Sequence, residues 1–156
     1  MLEHLRSRPL IAVIGASKAS REGMKLAEET GHLIAENGCV LLCGGMDGIM
    51  LHAAKGAFKA GGLTVGILPG LEHSAANKYI QLALPTGLGH IRNALLVTMA
   101  QAVIAIEGGF GTLSEISFSQ LRLKPLALLR SWPDIRELDL FRVDTPKEAM
   151  EKVLIL

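Results

Sequence analysis

The residues best placed to do chemistry gather around Gly108-Gly109-Phe110-Gly111-Thr112, followed three positions later by Glu115. The stretch lies between an apolar run, Gln101–Ile106, and a segment that reads as a helix, Thr112–Leu123. Three glycines in four residues let successive backbone N–H groups point into one small space, at the positive end of the helix dipole. A phosphate or similar anion fits there, with the Thr112 hydroxyl as an added donor. The alternative is a tight strand–helix turn capped by Thr112. Gly44-Gly45-Met46-Asp47-Gly48 repeats the arrangement after an earlier strand, and Gly15-Ala16-Ser17 after the first. Three such turns on one sheet edge point to a nucleotide-sized ligand. The candidate binding residues are Gly15, Ser17, Gly44, Gly45, Gly48, Asn93, Gly108, Gly109, Gly111 and Thr112. Asn93 could orient a polar group of the ligand and reads equally as a helix-end residue.

Two charged residues stand beside these turns. Thr112-Leu113-Ser114-Glu115 has the pattern of a capping box, in which the carboxylate folds back on the N-cap N–H. Thr145-Pro146-Lys147-Glu148 is the same box with proline at N1, in a glycine-free context, and reads only as a cap. Glu115 follows the glycine turn, so for it catalysis and capping stand side by side. Arg92 falls in the first turn of its own helix, where a cation opposes the dipole. An acidic partner or a bound anion would offset that cost.

The elements that must hold these residues alternate. Leu10–Ile14, Cys39–Cys43, Leu63–Leu68, Tyr79–Leu84, Gln101–Ile106, Pro125–Leu129 and a short run near Phe141–Val143 read as strands. Ser20–Asn37, Met46–Ala60, Gly89–Ala100, Thr112–Leu123 and Thr145–Leu156 read as helices. The strands are continuously apolar, as in a parallel sheet covered on both faces. The expected fold is α/β: a three-layer, Rossmann-like, doubly wound and mainly parallel sheet of about seven strands flanked by helices. At 156 residues it forms one nucleotide-binding domain, residues 1–156. All 17 glycines fall between Gly15 and Gly111, and Gly15, Gly44, Gly45, Gly66, Gly70, Gly108, Gly109 and Gly111 sit at the carboxyl ends of strands, where such sheets bind ligands.

Other function classes are excluded by what the chain lacks. It has no G-x-x-x-x-G-K-[ST] P-loop, and Gly15 does not open a G-x-G-x-x-G fingerprint. His52, His73 and His90 have no ligand partners at metal spacing, and neither Ser17 nor Ser114 sits in a G-x-S-x-G elbow. No metal and no resident cofactor are expected. A net charge of +1 and 4% aromatic residues argue against nucleic acid as partner. Cys39 and Cys43 share one face of a strand and read as buried thiols. Without a membrane-length apolar stretch or a leader in MLEHLRSRPL, the expected location is the cytoplasm, with no membrane partner. Residues 39–115 carry only 8 charges, against 23 in the other 79 residues. Part of that segment is expected to be covered by another subunit, in a homodimer or homotetramer.

These motifs resemble a known family. EGGFGTLSE, Glu107–Glu115, is similar to the PGGxGTxxE signature of the LONELY GUY (LOG)-like superfamily, long mislabelled as lysine decarboxylases. Gly44–Met50, GGMDGIM, resembles its GGGxxGLM loop, and Arg92 matches its arginine. The run LTVGILPG, LPTGLGHIRNALLV and EGGFGTLSE looks most like a small bacterial branch that includes the molybdenum-cofactor carrier proteins. The resemblance implies a Rossmann-like homo-oligomer that binds a phosphorylated small molecule. In the enzymes of the family it implies hydrolysis of the N-glycosidic bond of nucleoside 5′-monophosphates. Arg92 and Glu115 would then be the catalytic pair, and Gly108, Gly109, Gly111 and Thr112 the phosphate cradle. Lysine decarboxylation finds no support, because nothing resembles a cofactor-bearing lysine.

The chain departs from the pattern at three places. Glu107 stands where the motif has proline, Asn93 where the enzymes usually have lysine, and Ser114 where many carry a further acid. Arg92 and Glu115 favour a phosphoribohydrolase of AMP-like nucleotides. Glu107 and Asn93 favour a carrier of a phosphorylated pterin or nucleotide.

Overall fold

Four residues of the first strand, Ile11 to Ile14, are almost wholly shielded from solvent, and they alternate between two cores. This strand, β1 (Leu10–Gly15), is the centre of the molecule. The computed structural model describes residues 7–154. The expected absence of a leader at residues 1–6, and the end of the closing helix at residues 155 and 156, lie outside the described residues.

Six strands form one sheet: β1, β2 (Val40–Cys43), β3 (Thr64–Leu68), β4 (Leu82–Pro85), β5 (Ala102–Ile106) and β6 (Leu126–Leu129). Their order is β4-β3-β2-β1-β5-β6, and every pairing is parallel. The chain winds outward from β1 to β4, then returns to place β5 on the other side of β1. The gap between the ends of β1 and β5 is therefore the topological switch point.

Helices cover both faces. α1 (Arg21–Glu36), α2 (Ile49–Lys59) and α5 (Pro146–Val153) bury Leu26, Ile34, Ala53 and Met150 against Ile11, Val13 and Ile104. α3 (Arg92–Met99) and α4 (Phe110–Leu121) bury Leu96, Val97 and Ile116 against Ala12, Ile14 and Val103. Each fully buried Leu or Ile contributes about 1.5–3 kcal/mol of burial, so the central strand is strongly specified. Two of the glycines serve this packing. A Cβ on Gly31 would lie 1.9 Å from the Ala53 carbonyl oxygen, and one on Gly56 would lie 1.9 Å from that of Glu28. α1 and α2 are thus in backbone contact.

The strand expected near Phe141–Val143 is absent. Arg136–Phe141 winds into 3-10 turns, and only an isolated bridge joins Leu128 to Arg142. Arg142 turns its guanidinium inward, donating to the carbonyls of Ser131, Trp132 and Ile135. The residue that a seventh strand would have paired along its length instead ties down a loop. β4 also begins later than expected, because Asn77 accepts from the Tyr79 N–H and Thr64 Oγ1 donates to the Tyr79 carbonyl.

Candidate active site

A cleft of about 340 Å³ opens at the switch point, at the carboxyl ends of β1, β2 and β5. Small-molecule sites typically occupy about 300–1,000 Å³. Nine of the twelve candidate residues line it: Gly15, Ser17, Gly44, Arg92, Asn93, Gly109, Gly111, Thr112 and Glu115. Gly45, Gly48 and Gly108 lie outside the lining and shape the turns behind it.

Arg92 opens α3 and Glu115 lies in the second turn of α4, and both point between the two helices. Nη1 of Arg92 stands 3.8 Å from Oε1 of Glu115, with 11% and 8% of the side chains exposed. That separation is within ion-pair reach when Glu115 is ionised and too long for a hydrogen bond. Arg92 Nε is buried without an acceptor, and among the described residues the guanidinium makes no hydrogen bond at all. A buried cation with its donors unspent is costly unless something else accepts them. Gly44 provides the room: a Cβ there would lie 2.5 Å from Arg92 Nη1.

Glu115 is no cap. α4 begins at Phe110 with Gly109 as N-cap, three residues before the N-cap that the capping-box pattern suggests, and no side chain caps it. Thr112 and Glu115 therefore lie inside the helix. Thr145 and Glu148 do form the capping box expected of them at the start of α5. Burial pushes the Glu115 carboxyl up to about 8, while Arg92 pulls the other way. Burial likewise lowers the Arg92 value and Glu115 opposes it. Cys43, buried at the end of β2, is pushed up to about 11 by burial, so its thiol is inert.

The glycine turn divides into two parts. Gly108 has φ +115°, and a Cβ there would meet Thr112 Oγ1 at 2.3 Å, so the fold itself requires glycine. Gly109 has open space around it, and beside Gly111 only the Asn93 amide comes near, at 4.0 Å. Packing leaves room for a Cβ at both, and that free space faces the cleft. The uncapped first-turn amides of α4 also face it, an arrangement suited to an anion.

The other two turns are scaffolding as much as wall. Gly48 has φ +67°, and a Cβ there would strike the Ala16 and Ser17 carbonyl oxygens at 2.2 and 2.5 Å. Ile49 N–H donates to the Ala16 carbonyl at 2.9 Å. The loop after β2 thereby closes against the loop after β1. Gly45, at φ +77°, turns the chain against Leu68.

The three departures have structural explanations. Asn93 Nδ2 donates to Ser114 Oγ at 3.2 Å, and Ser114 donates to the Gly111 carbonyl at 2.6 Å. Glu107 points away from the cleft. Its carboxylate accepts from the Ser20 N–H at 3.1 Å and from the Ser20 hydroxyl, at the N-terminus of α1. The anion site at that helix is filled by the protein's own side chain.

Sequence reasoning missed the far side of the turn. Ser131 donates to the Glu107 carbonyl at 2.6 Å, and Trp132 Nε1 donates to that of Gly109 at 3.2 Å. The loop after β6 thus braces the glycine turn. The one available signal was a single tryptophan in a chain with few aromatic residues. Among the described residues, no three His, Cys, Asp or Glu side chains are grouped to hold a metal. Nor is any described helix long and apolar enough to cross a membrane.

Known proteins are similar to this chain in sequence and fold. The molybdenum cofactor binding protein of Rippkaea orientalis is 37% identical, with a TM-score of 0.86 over 92% of this chain and 94% of that one. The molybdenum cofactor carrier protein of Chlamydomonas reinhardtii is 30% identical, with a TM-score of 0.84 over the same shares. A cytokinin riboside 5′-monophosphate phosphoribohydrolase of Rhodococcoides fascians is 34% identical over 116 residues, which are 67% of this chain and 58% of that protein. The family model described as SLOG cluster4 matches residues 8–154. The chain belongs to the SLOG cluster4 family, within the LOG-like superfamily and similar to the molybdenum cofactor carriers.

Proposed function

We propose that the cleft binds a phosphorylated heterocyclic compound and hydrolyses the N-glycosidic bond of an AMP-like nucleoside 5′-monophosphate. The observation that carries this reading is the buried Arg92 guanidinium, which makes no hydrogen bond of its own and stands 3.8 Å from a buried carboxyl. The phosphate sits at Gly109, Gly111 and Thr112, against the uncapped amides of α4. Arg92 orients the ribose and holds Glu115. As the bond between C1′ and the base nitrogen breaks, its electron pair leaves with the base and positive charge develops on the ribose. The ionised form of Glu115 stabilises that charge and takes a proton from the water that attacks C1′, while the departing base nitrogen takes up a proton from solvent. The products are the free base and ribose 5-phosphate. Burial pushes the Glu115 carboxyl up to about 8, and a general base works best when its proton exchanges near the working pH.

A second reading, carriage of a phosphorylated pterin without cleavage, is favoured by one observation. The two molybdenum cofactor proteins match almost the full length of this chain. In both readings copies of the chain associate. Support comes from the exposed apolar side chains of Leu82, Leu84, Leu88, Ile91 and Leu95, within the charge-poor segment.

The test incubates purified protein with AMP and related monophosphates and follows free base. Release that vanishes in Glu115→Ala while ligand binding persists supports hydrolysis. Tight binding of a pterin cofactor with no release from any monophosphate transfers the function to the carrier reading. A monomer by light scattering overturns the association.

A further inference from the structure

Phe110 is the first residue of α4, and 83% of its surface is exposed. Of the exposed large hydrophobic side chains among the described residues, it is the one that lines the cleft. It directly follows Gly109, so its ring stands beside the amides offered to an anion.

The ring is held in place. Its centroid lies 5.7 Å from that of Trp132, with the planes tilted by 50°. Trp132 is fixed in turn: its Nε1–H donates to the Gly109 carbonyl, and its own carbonyl accepts from Arg142. Trp132 and the nearby Arg130 have φ of +44° and +52°. A left-handed backbone at such residues is strained and persists only where the surroundings enforce it. Here the enforced conformation sets an indole behind Phe110. The chain has one tryptophan, one tyrosine and four phenylalanines, and two of these rings meet at the mouth of one cleft. An apolar ring held beside an anion site, with open solvent before it, suits a ligand that carries both a phosphate and a flat π-system.

We propose that Phe110, braced by Trp132, is the platform on which the planar heterocycle of the ligand stacks. The site therefore selects a phosphate that bears a purine- or pterin-class ring over a bare sugar phosphate. This rests on the phosphate reading of the glycine turn and holds for hydrolase and carrier alike.

The experiment measures binding by calorimetry, with Trp132 fluorescence as a second readout. The ligands are AMP, a pterin monophosphate and ribose 5-phosphate. All measurements use the full chain carrying Glu115→Gln, so that ligand is not consumed. At least one ring-bearing ligand is expected to bind about tenfold or more tightly than ribose 5-phosphate, in line with base–aromatic stacking. Phe110→Leu removes that advantage, Phe110→Tyr keeps it, and ribose 5-phosphate binds equally to all three. The platform is overturned if the ring adds no affinity, or if Phe110→Leu matches Phe110→Tyr. It is also overturned if Phe110→Leu shifts the oligomeric state, which would place the ring in a subunit interface. In these three cases phosphate binding still stands. If none of the ligands binds, the phosphate reading falls and the platform with it.

Discussion

Asn93 on α3 donates its side-chain amide to Ser114 on α4, at 3.2 Å. These are two of the three positions at which the chain departs from the LOG-like enzymes, and they touch. Where those enzymes usually carry lysine and a further acid, this chain has a neutral hydrogen bond across the same helix pair. Arg92 precedes Asn93 and Glu115 follows Ser114, so the hydrogen bond lies directly beside the charged pair.

Coupling between these positions is therefore expected. Asn93 is 6% exposed, so Asn93→Lys alone buries an ammonium next to the Arg92 guanidinium. Ser114→Glu alone removes the hydroxyl that holds the Gly111 carbonyl. Each single change should cost about 1–3 kcal/mol. In the double variant the new charges pair, and the cost should fall short of the sum by about 0.5–3 kcal/mol. Urea unfolding of the four proteins measures this directly. Additive costs would mean that the two side chains do not act together.

A pH dependence follows from Glu115. Its carboxyl ionises at an ordinary 4.5 in the unfolded chain and, through burial, at about 8 in the folded one. Between those values the folded protein keeps a proton that the unfolded chain has released. The stability this group contributes is full below 4.5 and is lost as pH rises through 8. Glu115→Gln has no such group. Wild-type Tm should fall relative to that variant across this window, by several degrees in all, and the gap should then stay constant. Parallel Tm curves for the two proteins would refute the buried-carboxyl argument.

The sheet was legible because β1, β2, β3, β5 and β6 are short, continuously apolar runs that end at glycine, proline or charge. The cleft was legible because its glycines stand at the ends of β1, β2 and β5. The start of α4 was not. Thr112-Leu113-Ser114-Glu115 satisfies the capping pattern, but glycines can begin a helix without a side-chain cap, and Gly109 does so. The Asn93–Ser114 contact was hidden because 21 residues separate its partners. Arg142 looked like part of a strand because nothing local reveals that its guanidinium binds three carbonyls of a preceding loop.

The glycine turn yields a paired prediction. Gly109 has φ −110° and open space around it, so valine fits the backbone and its side chain enters the cleft. Gly109→Val should leave Tm nearly unchanged and weaken phosphate binding at least tenfold. Gly108→Ala does the reverse in kind. At φ +115° with Thr112 Oγ1 2.3 Å from its Cβ, it should destabilise the fold by about 1–3 kcal/mol. Thermal melts together with titration of inorganic phosphate separate the two. If Gly109→Val binds as the wild type does, the anion lies elsewhere.

Glu107 gives the most counterintuitive expectation, because the family signature carries proline there. In this chain Glu107 has φ +54°, whereas proline fixes φ near −65°. Its N–H also donates to the Leu129 carbonyl at 3.1 Å, which joins the ends of β5 and β6, and proline has no N–H to give. Finally, its carboxylate satisfies Ser20 at the start of α1. Glu107→Pro, though it restores the family residue, should therefore destabilise this protein by about 3 kcal/mol or more. Glu107→Gln keeps the backbone and part of the cap, and should cost about 1 kcal/mol. Ser20→Ala removes the partner hydroxyl and should make Glu107→Gln nearly free in a double-mutant cycle. Chemical denaturation of the four variants tests the set. A well-folded Glu107→Pro protein of wild-type stability would show that the turn takes up the family's backbone conformation, and that the Ser20–Glu107 cap is incidental to the fold.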